Sequence, residues 1–256
     1  FLGVLLGVAG ASFAVALPLA SRWYPPEHHG TALGIAGAGN SGTAFAALIA
    51  PSLAAAFGWI NVFGVALIPL TLVLVFYVLV ARDAPDCPPP KPLTAYLTVL
   101  RDRDAWWFMF FYSVTFGGFV GLAASLTIYF NSEYGLDART AGFFTAACVF
   151  AGSLMRPIGG NVADRVGGIK SLSVMYTVAA AALVAVSFHF SSAWIALAIF
   201  VVAMLALGMG NGAVFQLVPQ RFRKEIGVMT GLVGMAGGVG GFYLASSLGY
   251  SKKMTG

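Results

Sequence analysis

The sequence predicts an all-α protein that crosses a membrane several times, and three observations lead to that fold class. Hydrophobic residues make up 59% of the 256 residues, whereas charged residues make up only 9%. Soluble domains average about 45–50% apolar and about 25% charged residues. The mean hydropathy is +0.87. Apolar runs of about 20 residues, the length that crosses a bilayer as a helix, follow one another along the chain.

Eight apolar runs predict eight membrane-spanning helices. They cover residues 3–21, 30–57, 62–81, 106–130, 141–162, 171–188, 194–219 and 227–250. The chain has 32 glycines among its 256 residues, a larger share than the usual one of about 7%. Pairs such as Gly117/Gly121 and Gly237/Gly241 have the small-xxx-small spacing of closely packed helices. The chain begins inside an apolar run at Phe1, without a basic segment before it, so we expect a fragment of a longer protein rather than a signal peptide.

The charged residues lie in the loops and predict an orientation. One side of the predicted helices carries ten of the 14 Lys and Arg residues and the other side carries three. Because cytoplasmic loops are enriched in Lys and Arg, the side with ten basic residues is predicted to face the cytoplasm. The membrane is predicted to be the cytoplasmic (inner) membrane. All nine Asp and Glu residues also fall in loops or at span ends. None of the eight predicted spans therefore holds a carboxylate, which weighs against a cation or proton site within them.

Arg156 is the one basic residue that the loops do not accommodate, because it lies inside the apolar run 141–162. An arginine at the centre of a membrane helix costs about 2.5–3.5 kcal/mol on insertion scales and normally faces a cavity or a partner. The residues three and four positions away share its helix face and are all small, which predicts open space around the guanidinium. These neighbours are Gly152, Ser153, Gly159 and Gly160. We therefore predict an anion site; the alternative is an arginine that braces helices by bonding backbone carbonyls, one of which is released by Pro157.

An internal repeat divides the chain into two halves. A basic loop leads into glycines at 30, 34 and 37, and a second basic loop leads into glycines with the same spacing at 227, 231 and 234. A polar, proline-rich linker, residues 82–104, lies between the two copies. Two helical halves joined by a polar loop are typical of transporters, in which the substrate binds at the interface between the repeats.

The segment Gly160-Asn-Val-Ala-Asp164-Arg165-Val-Gly167-Gly168 resembles the short cytoplasmic loop motif of the major facilitator superfamily. That resemblance implies a helical bundle of two six-helix halves in which the Asp–Arg pair docks on neighbouring helix ends in one gating state. Residues 1–81 would then hold helices 4–6, residues 82–104 the cytoplasmic linker, and residues 105–256 helices 7–11. Eight of 12 helices would be present, without helices 1–3 and 12. The motif residues carried over are Gly160, Asp164, Arg165 and Gly168.

Two glycine-rich stretches, Ala38-Gly39-Asn40-Ser41-Gly42 and Gly234-Met-Ala-Gly237-Gly238-Val-Gly240-Gly241-Phe242, resemble the paired signatures of the nitrate/nitrite porter family. The resemblance implies an anion clamped by one arginine from each half, the second-half arginine being Arg156. It also implies that a few other side chains line the site: Asn40, Tyr112, Phe116 and Phe13. The signature glycines would slide and bend during gating: Gly37, Gly39, Gly42, Gly234, Gly237, Gly238, Gly240 and Gly241.

The chemistry of these side chains suits a small planar anion. A guanidinium keeps its proton and donates paired hydrogen bonds to adjacent oxygens, Asn40 can donate from its amide, and Tyr112 offers a hydroxyl beside the apolar wall of Phe116. Other interpretations stay open. Asn40 can instead make a packing hydrogen bond worth about 0.6 kcal/mol, and the two aromatic residues can be ordinary packing. Asn211 and Gln216 can contact substrate, although interhelical packing is the favoured interpretation for both.

We therefore predict a secondary transporter for nitrate and nitrite that rocks its two halves about a central site. Nitrate/nitrite exchange is expected because the predicted spans hold no carboxylate. Proton-coupled nitrate symport is the first alternative, and a facilitator for another small anion or a drug is the second. The protein is not expected to be an enzyme or to need a cofactor or metal. Its expected partners are the inorganic anion and the lipid bilayer, without nucleic acid, and a monomer is expected.

Overall fold

The computed structural model describes residues 22–82, 98–223 and 225–255, together with residues 16, 19 and 94. Within these residues every long element is a helix. The α-helices are α1 (His29–Gly37), α2 (Gly42–Phe57), α3 (Trp59–Val80), α4 (Arg103–Tyr134), α5 (Ala138–Leu154), α6 (Arg156–Val166), α7 (Gly168–Val186), α8 (Ala193–Arg221) and α9 (Ile226–Thr255). The predicted all-α fold class is confirmed.

Seven helical stretches in the described part of the chain are long and apolar enough to cross a membrane. They are Gly30–Ala50, Trp59–Val80, Arg103–Tyr134, Ala138–Val166, Gly168–Val186, Ala193–Arg221 and Ile226–Met254. Each corresponds to one of the eight predicted spans. Apart from residues 16 and 19, the first predicted span, residues 3–21, lies outside the described residues, as do Phe13 and residues 83–93 and 95–97 of the linker.

The second predicted span is not one continuous helix, because a 3₁₀ turn, Ala38–Ser41, separates α1 from α2. Glycines on both sides of Asn40 weaken the regular helix, since glycine is a poor helix former. A 3₁₀ stretch inside a longer helix often marks a hinge. The turn therefore places Asn40 at a break within the span rather than on a regular helix face.

The predicted span 141–162 is also divided, between α5 and α6. Pro157 has no backbone N–H and its ring excludes the carbonyl of the residue four positions earlier, so a continuous α-helix is interrupted here. Proline is tolerated in the first turn of a helix, and Pro157 lies in the first turn of α6. Arg156 is thus the first residue of α6, at a helix end that carries a partial positive charge.

Glycines allow the helices of the bundle to approach closely. Along the α4–α9 interface, a Cβ placed at Gly117 would lie 2.6 Å from the carbonyl carbon of Gly240, and one at Gly121 would lie 2.8 Å from Cβ of Leu244. A Cβ at Gly241 would lie 3.2 Å from Val120. The predicted small-xxx-small packing is therefore present, and it holds α9 against the face of α4 that also carries Tyr112.

Candidate anion-binding site

Arg156 is almost fully buried, with 1% of its surface exposed. Among the described residues it forms no ion pair, since the salt bridges there join other residues. Burial of an ionised group without an opposite charge is costly. The position of Arg156 at the first residue of α6 adds the partial positive charge of a helix N-terminus. This concentration of buried positive charge favours a bound anion.

The guanidinium of Arg156 contacts the break between α1 and α2. Its Nη1 donates a hydrogen bond of 3.1 Å to the backbone carbonyl of Gly37, the last residue of α1. With the Asn40 amide turned so that its oxygen faces the guanidinium, Oδ1 accepts from Nη1 at 2.8 Å and from Nη2 at 2.9 Å. Amide orientations are assigned from such networks. Both terminal nitrogens of Arg156 therefore reach the first half of the chain.

These contacts give Asn40 a second role beside the predicted one. Its amide oxygen accepts from Arg156, and its amide nitrogen remains the predicted donor to the anion. The bracing interpretation of Arg156 is also partly met, because Gly37 offers the backbone carbonyl that the guanidinium bonds. The same arginine can therefore brace the helices and bind an anion. An anion that binds here competes with Asn40 for the two terminal nitrogens.

Aromatic rings of α4 form the opposite wall. The guanidinium carbon of Arg156 lies 5.2 Å from the ring centres of both Phe116 and Phe119. The Tyr112 ring stacks on Phe116 at 5.0 Å with 9° between the planes. Residues four and seven positions apart share a helix face. Phe119 was not among the predicted site residues, although its spacing of seven from Tyr112 is the signal that could have identified it.

Several buried polar groups near Arg156 make no hydrogen bond. The Tyr112 hydroxyl lies close to the guanidinium but makes no hydrogen bond of normal geometry. The hydroxyl of Ser153 and Nε of Arg156 have no hydrogen-bond partner. Buried polar groups are normally hydrogen-bonded. Each of these groups can donate a hydrogen bond, and an anion with several oxygens is a ligand that satisfies donors of this kind.

The prediction of open space beside the small neighbours of Arg156 is wrong. A Cβ placed at Gly152 would lie 2.6 Å from the Phe119 ring. Cβ atoms at Gly159 and Gly160 would overlap the backbone of Met209 and of Gly30, respectively. These glycines let α8 and α1 pack directly on α5 and α6, because a side chain at such positions would hold the backbones apart. The guanidinium is instead surrounded by the break between α1 and α2 and by the aromatic rings of α4.

The signature glycines differ in their surroundings. A Cβ at Gly37 would lie 3.1 Å from Nη1 of Arg156, and one at Gly237 would lie 2.6 Å from Cδ1 of Tyr112 and 2.7 Å from Cδ1 of Phe116. Gly37 and Gly237 thus bring both glycine-rich stretches against the candidate site. Gly240 and Gly241 pack on α4 above this contact. Three signature glycines have no described atom within 4 Å of a Cβ: Gly39, Gly42 and Gly238. Gly234 is half-buried in α9.

The segment 160–168, which resembles the loop motif of the superfamily, connects α6 to the start of α1 through Asp164. The Asp164 carboxylate accepts from the backbone nitrogens of Gly30 at 3.3 Å and Thr31 at 3.1 Å, and from the Thr31 hydroxyl at 3.1 Å. A carboxylate at a helix N-terminus is favoured by the helix dipole. Arg165 is exposed. Gly168 lies against Leu217, after a turn at Gly167 whose φ of 99° suits glycine.

We expect the Asp164→Asn substitution to lower the free energy of unfolding by about 1 kcal/mol, because it removes the charge that stabilises the N-terminus of α1. Thermal unfolding of the purified protein in detergent measures the change. The Arg165→Gln substitution removes a neighbouring charge that is exposed, and it should leave the unfolding midpoint unchanged. Equal effects of the two substitutions would contradict a specific contact between Asp164 and α1.

The fold and the site define a class of protein. A multi-pass helical bundle with broken helices around a buried, charged site is the architecture of a membrane transporter. The profile of the Major Facilitator Superfamily matches residues 1–245. The chain belongs to that superfamily, and curated relatives that are named for nitrate or nitrite match most of its length. The resemblance predicted from the sequence is confirmed, and since the superfamily consists of transporters, so is the prediction that the protein is not an enzyme.

Three relatives illustrate the similarity. The chain is 33% identical to the nitrite extrusion protein of Bacillus subtilis over 94% of this chain and 61% of that protein. It is 35% identical to the probable nitrate/nitrite transporter NarK2 of Mycobacterium tuberculosis H37Rv, over 95% and 62%. It is 33% identical to the probable nitrate/nitrite antiporter NarK1 of Thermus thermophilus, over 98% and 64%. The chain thus spans less than two thirds of each of these relatives.

Proposed function

We propose that the protein is a secondary transporter of nitrate and nitrite and that Arg156 binds the anion. The observation that carries this proposal is the burial of Arg156, 1% exposed, without an ion pair among the described residues. Asn40, Tyr112 and Phe116 surround it and are proposed to complete the site. Phe13 is proposed on the family resemblance alone, because it lies outside the described residues.

The chemistry of nitrate and nitrite matches these groups. Both are planar anions with a single charge, and a guanidinium offers two parallel donors to a pair of oxygens. The aromatic rings of Phe116 and Phe119 lie over the guanidinium and exclude water from that side of it. Water exclusion strengthens the electrostatic interaction. The relatives from Bacillus subtilis, Mycobacterium tuberculosis and Thermus thermophilus carry nitrite or nitrate in their names, which supports this choice of substrate.

We propose exchange of nitrate for nitrite as the transport mode. No Asp or Glu in the described part of the chain is buried, so these residues offer no buried proton carrier. The unpaired charge of Arg156 is stabilised when an anion is bound, which favours return of the carrier with an anion in the site. The Thermus thermophilus relative is named a probable antiporter, which supports the same mode.

The contacts of α6 suggest how binding is coupled to movement of the two halves. At its start, Arg156 bonds Gly37 and Asn40 at the end of α1; at its end, Asp164 bonds the beginning of α1. We propose that residues 1–81 and 105–256 form the two halves and that residues 82–104 link them in the cytoplasm. An anion that takes the guanidinium from Asn40 removes one of the bonds between the halves and favours their rocking. The proposed setting is a monomer in the inner membrane.

The experiment that tests the function uses the protein encoded by the complete reading frame, reconstituted in liposomes. Uptake of labelled nitrate is followed with and without nitrite inside the vesicles. We expect uptake that requires internal nitrite. Uptake that ignores nitrite but follows an inward proton gradient would replace exchange by proton-coupled symport, and the absence of nitrate uptake under both conditions would refute nitrate as substrate.

A further inference from the structure

Asn211 is a buried polar residue that the proposed site has not yet used. It lies on α8 with 1% of its surface exposed, and both its amide nitrogen and its amide oxygen are without a hydrogen-bond partner. A buried polar group without a partner costs about 1–3 kcal/mol. The packing interpretation requires an interhelical hydrogen bond, and neither amide atom makes one. Burial of the Asn211 amide is therefore favourable only when another group binds it.

The neighbours of Asn211 on α8 show which way its side chain faces. Residues four positions apart lie on the same face of a helix, so Asn211 shares a face with Leu207 and Phe215. Leu207 lies against Gly118 of α4, where an added Cβ would be 3.3 Å from it. The Phe215 ring packs on the Tyr112 ring at 4.8 Å. Asn211 therefore faces α4 at the level of the candidate site.

Two glycines beside Asn211 place it close to Arg156 as well. A Cβ at Gly212 would overlap the backbone carbonyl of Arg156, and a Cβ at Gly208 would overlap the backbone of Gly152. The backbone of α8 is thus in direct contact with the junction of α5 and α6. Asn211 lies on α8 between these contacts and those that Leu207 and Phe215 make with α4, the helix that carries Tyr112.

We propose that Asn211 is a further anion-binding residue and that it determines specificity between nitrate and nitrite. This inference rests on the proposed transport function. The Arg156 fork accommodates two oxygens of a planar anion, so the third oxygen of nitrate needs another donor. The amide nitrogen of Asn211 supplies that donor from α8 without adding a second charge. Nitrite has no third oxygen, so the amide discriminates between the two anions.

The test compares nitrate and nitrite transport by Asn211 variants of the protein from the complete reading frame in liposomes. The Asn211→Leu substitution keeps the size of the side chain and removes the donor, and Asn211→Ala, which cannot clash, is the second variant in case leucine prevents folding. We expect the KM for nitrate to rise about tenfold, the equivalent of one hydrogen bond of about 1.4 kcal/mol. The KM for nitrite should change much less.

The Gln216→Leu substitution is the matched control. Gln216 is also an amide on α8, with 3% of its surface exposed and an oxygen without a partner, but it faces α7, where a Cβ on Gly168 would lie 2.7 Å from that oxygen. It should leave the ratio of the two KM values unchanged. Equal loss of nitrate and nitrite transport in the Asn211 variants, or an unchanged KM, would overturn the role of Asn211 alone. A wild-type protein that carries neither anion would overturn the transport function as well.

Discussion

We expect the Arg156→Lys protein to insert into the membrane and to lose nitrate transport. Lysine keeps the charge, but it presents a single nitrogen in place of the planar fork whose two ends reach Asn40 Oδ1 at 2.8 and 2.9 Å. It also loses the flat face between the Phe116 and Phe119 rings. Hydrogen bonds to charged groups are worth about 1.5–3 kcal/mol each, so loss of one bond lowers anion affinity about tenfold or more. Labelled nitrate uptake, normalised to inserted protein, measures the effect.

The Arg139→Lys substitution is the control for this experiment. Arg139 lies in the same membrane-length helical stretch, Ala138–Val166, at the start of α5, where it is exposed and lies over the ring of Phe143 at 5.8 Å. The same chemical change at this surface position should leave uptake close to wild type. A second readout separates binding from movement: nitrate should raise the unfolding midpoint of the wild-type protein, as a ligand that binds only the folded state does, but not that of Arg156→Lys. Normal uptake by Arg156→Lys would remove Arg156 from the site.

The second large effect is expected from a single added methyl group at Gly237. A Cβ at this position would lie 2.6 Å from the Tyr112 ring and 2.7 Å from the Phe116 ring, closer than non-bonded carbons can approach. Overpacking of this kind costs about 1–3 kcal/mol. We expect the rings to shift away from Arg156 or α9 to move off α4, and either change would disturb the candidate site and the proposed movement of the glycine-rich helices. We expect the Gly237→Ala protein to transport nitrate at a small fraction of the wild-type rate.

Gly238→Ala is the matched variant at the next residue. Gly238 belongs to the same glycine-rich stretch, yet a Cβ there meets no described atom within 4 Å. We expect transport close to the wild-type rate, with equal amounts of both proteins in the membrane. If the two alanines reduced transport equally, glycine content as such, rather than contact with Tyr112 and Phe116, would be the property that matters.

The sequence alone was sufficient for the membrane class and for most of the helices, because hydrophobic burial in a bilayer depends on local composition. Seven of the eight predicted spans have a counterpart in the structure. Arg156 could likewise be singled out, since the cost of a charge in an apolar run does not depend on the details of packing. The Pro157 signal was present too, although the predicted span ran through it and the break at Met155 was missed.

The environment of each side chain needed the tertiary structure. Adjacent residues on a helix point about 100° apart, so the rotation of each helix decides which atoms meet. A Cβ added at Gly237 would meet the Tyr112 ring, whereas one added at Gly238 would meet no described atom of another element within 4 Å, a difference that the two adjacent glycines do not show in the sequence. The two buried amides of α8 differ in the same way, because Asn211 faces α4 whereas Gln216 faces α7.

What the sequence by itself determined is the set of apolar helices and the position of Arg156, the one charged residue that is buried in the described part of the chain. These properties follow from composition and spacing along the chain. Only the tertiary structure decided that the glycines around Arg156 bring backbones together rather than leave space, that Asn40 accepts from the guanidinium, and that Phe119 completes the aromatic wall. These contacts join residues far apart in sequence, and close packing of helices selects them through the shapes of both surfaces at once.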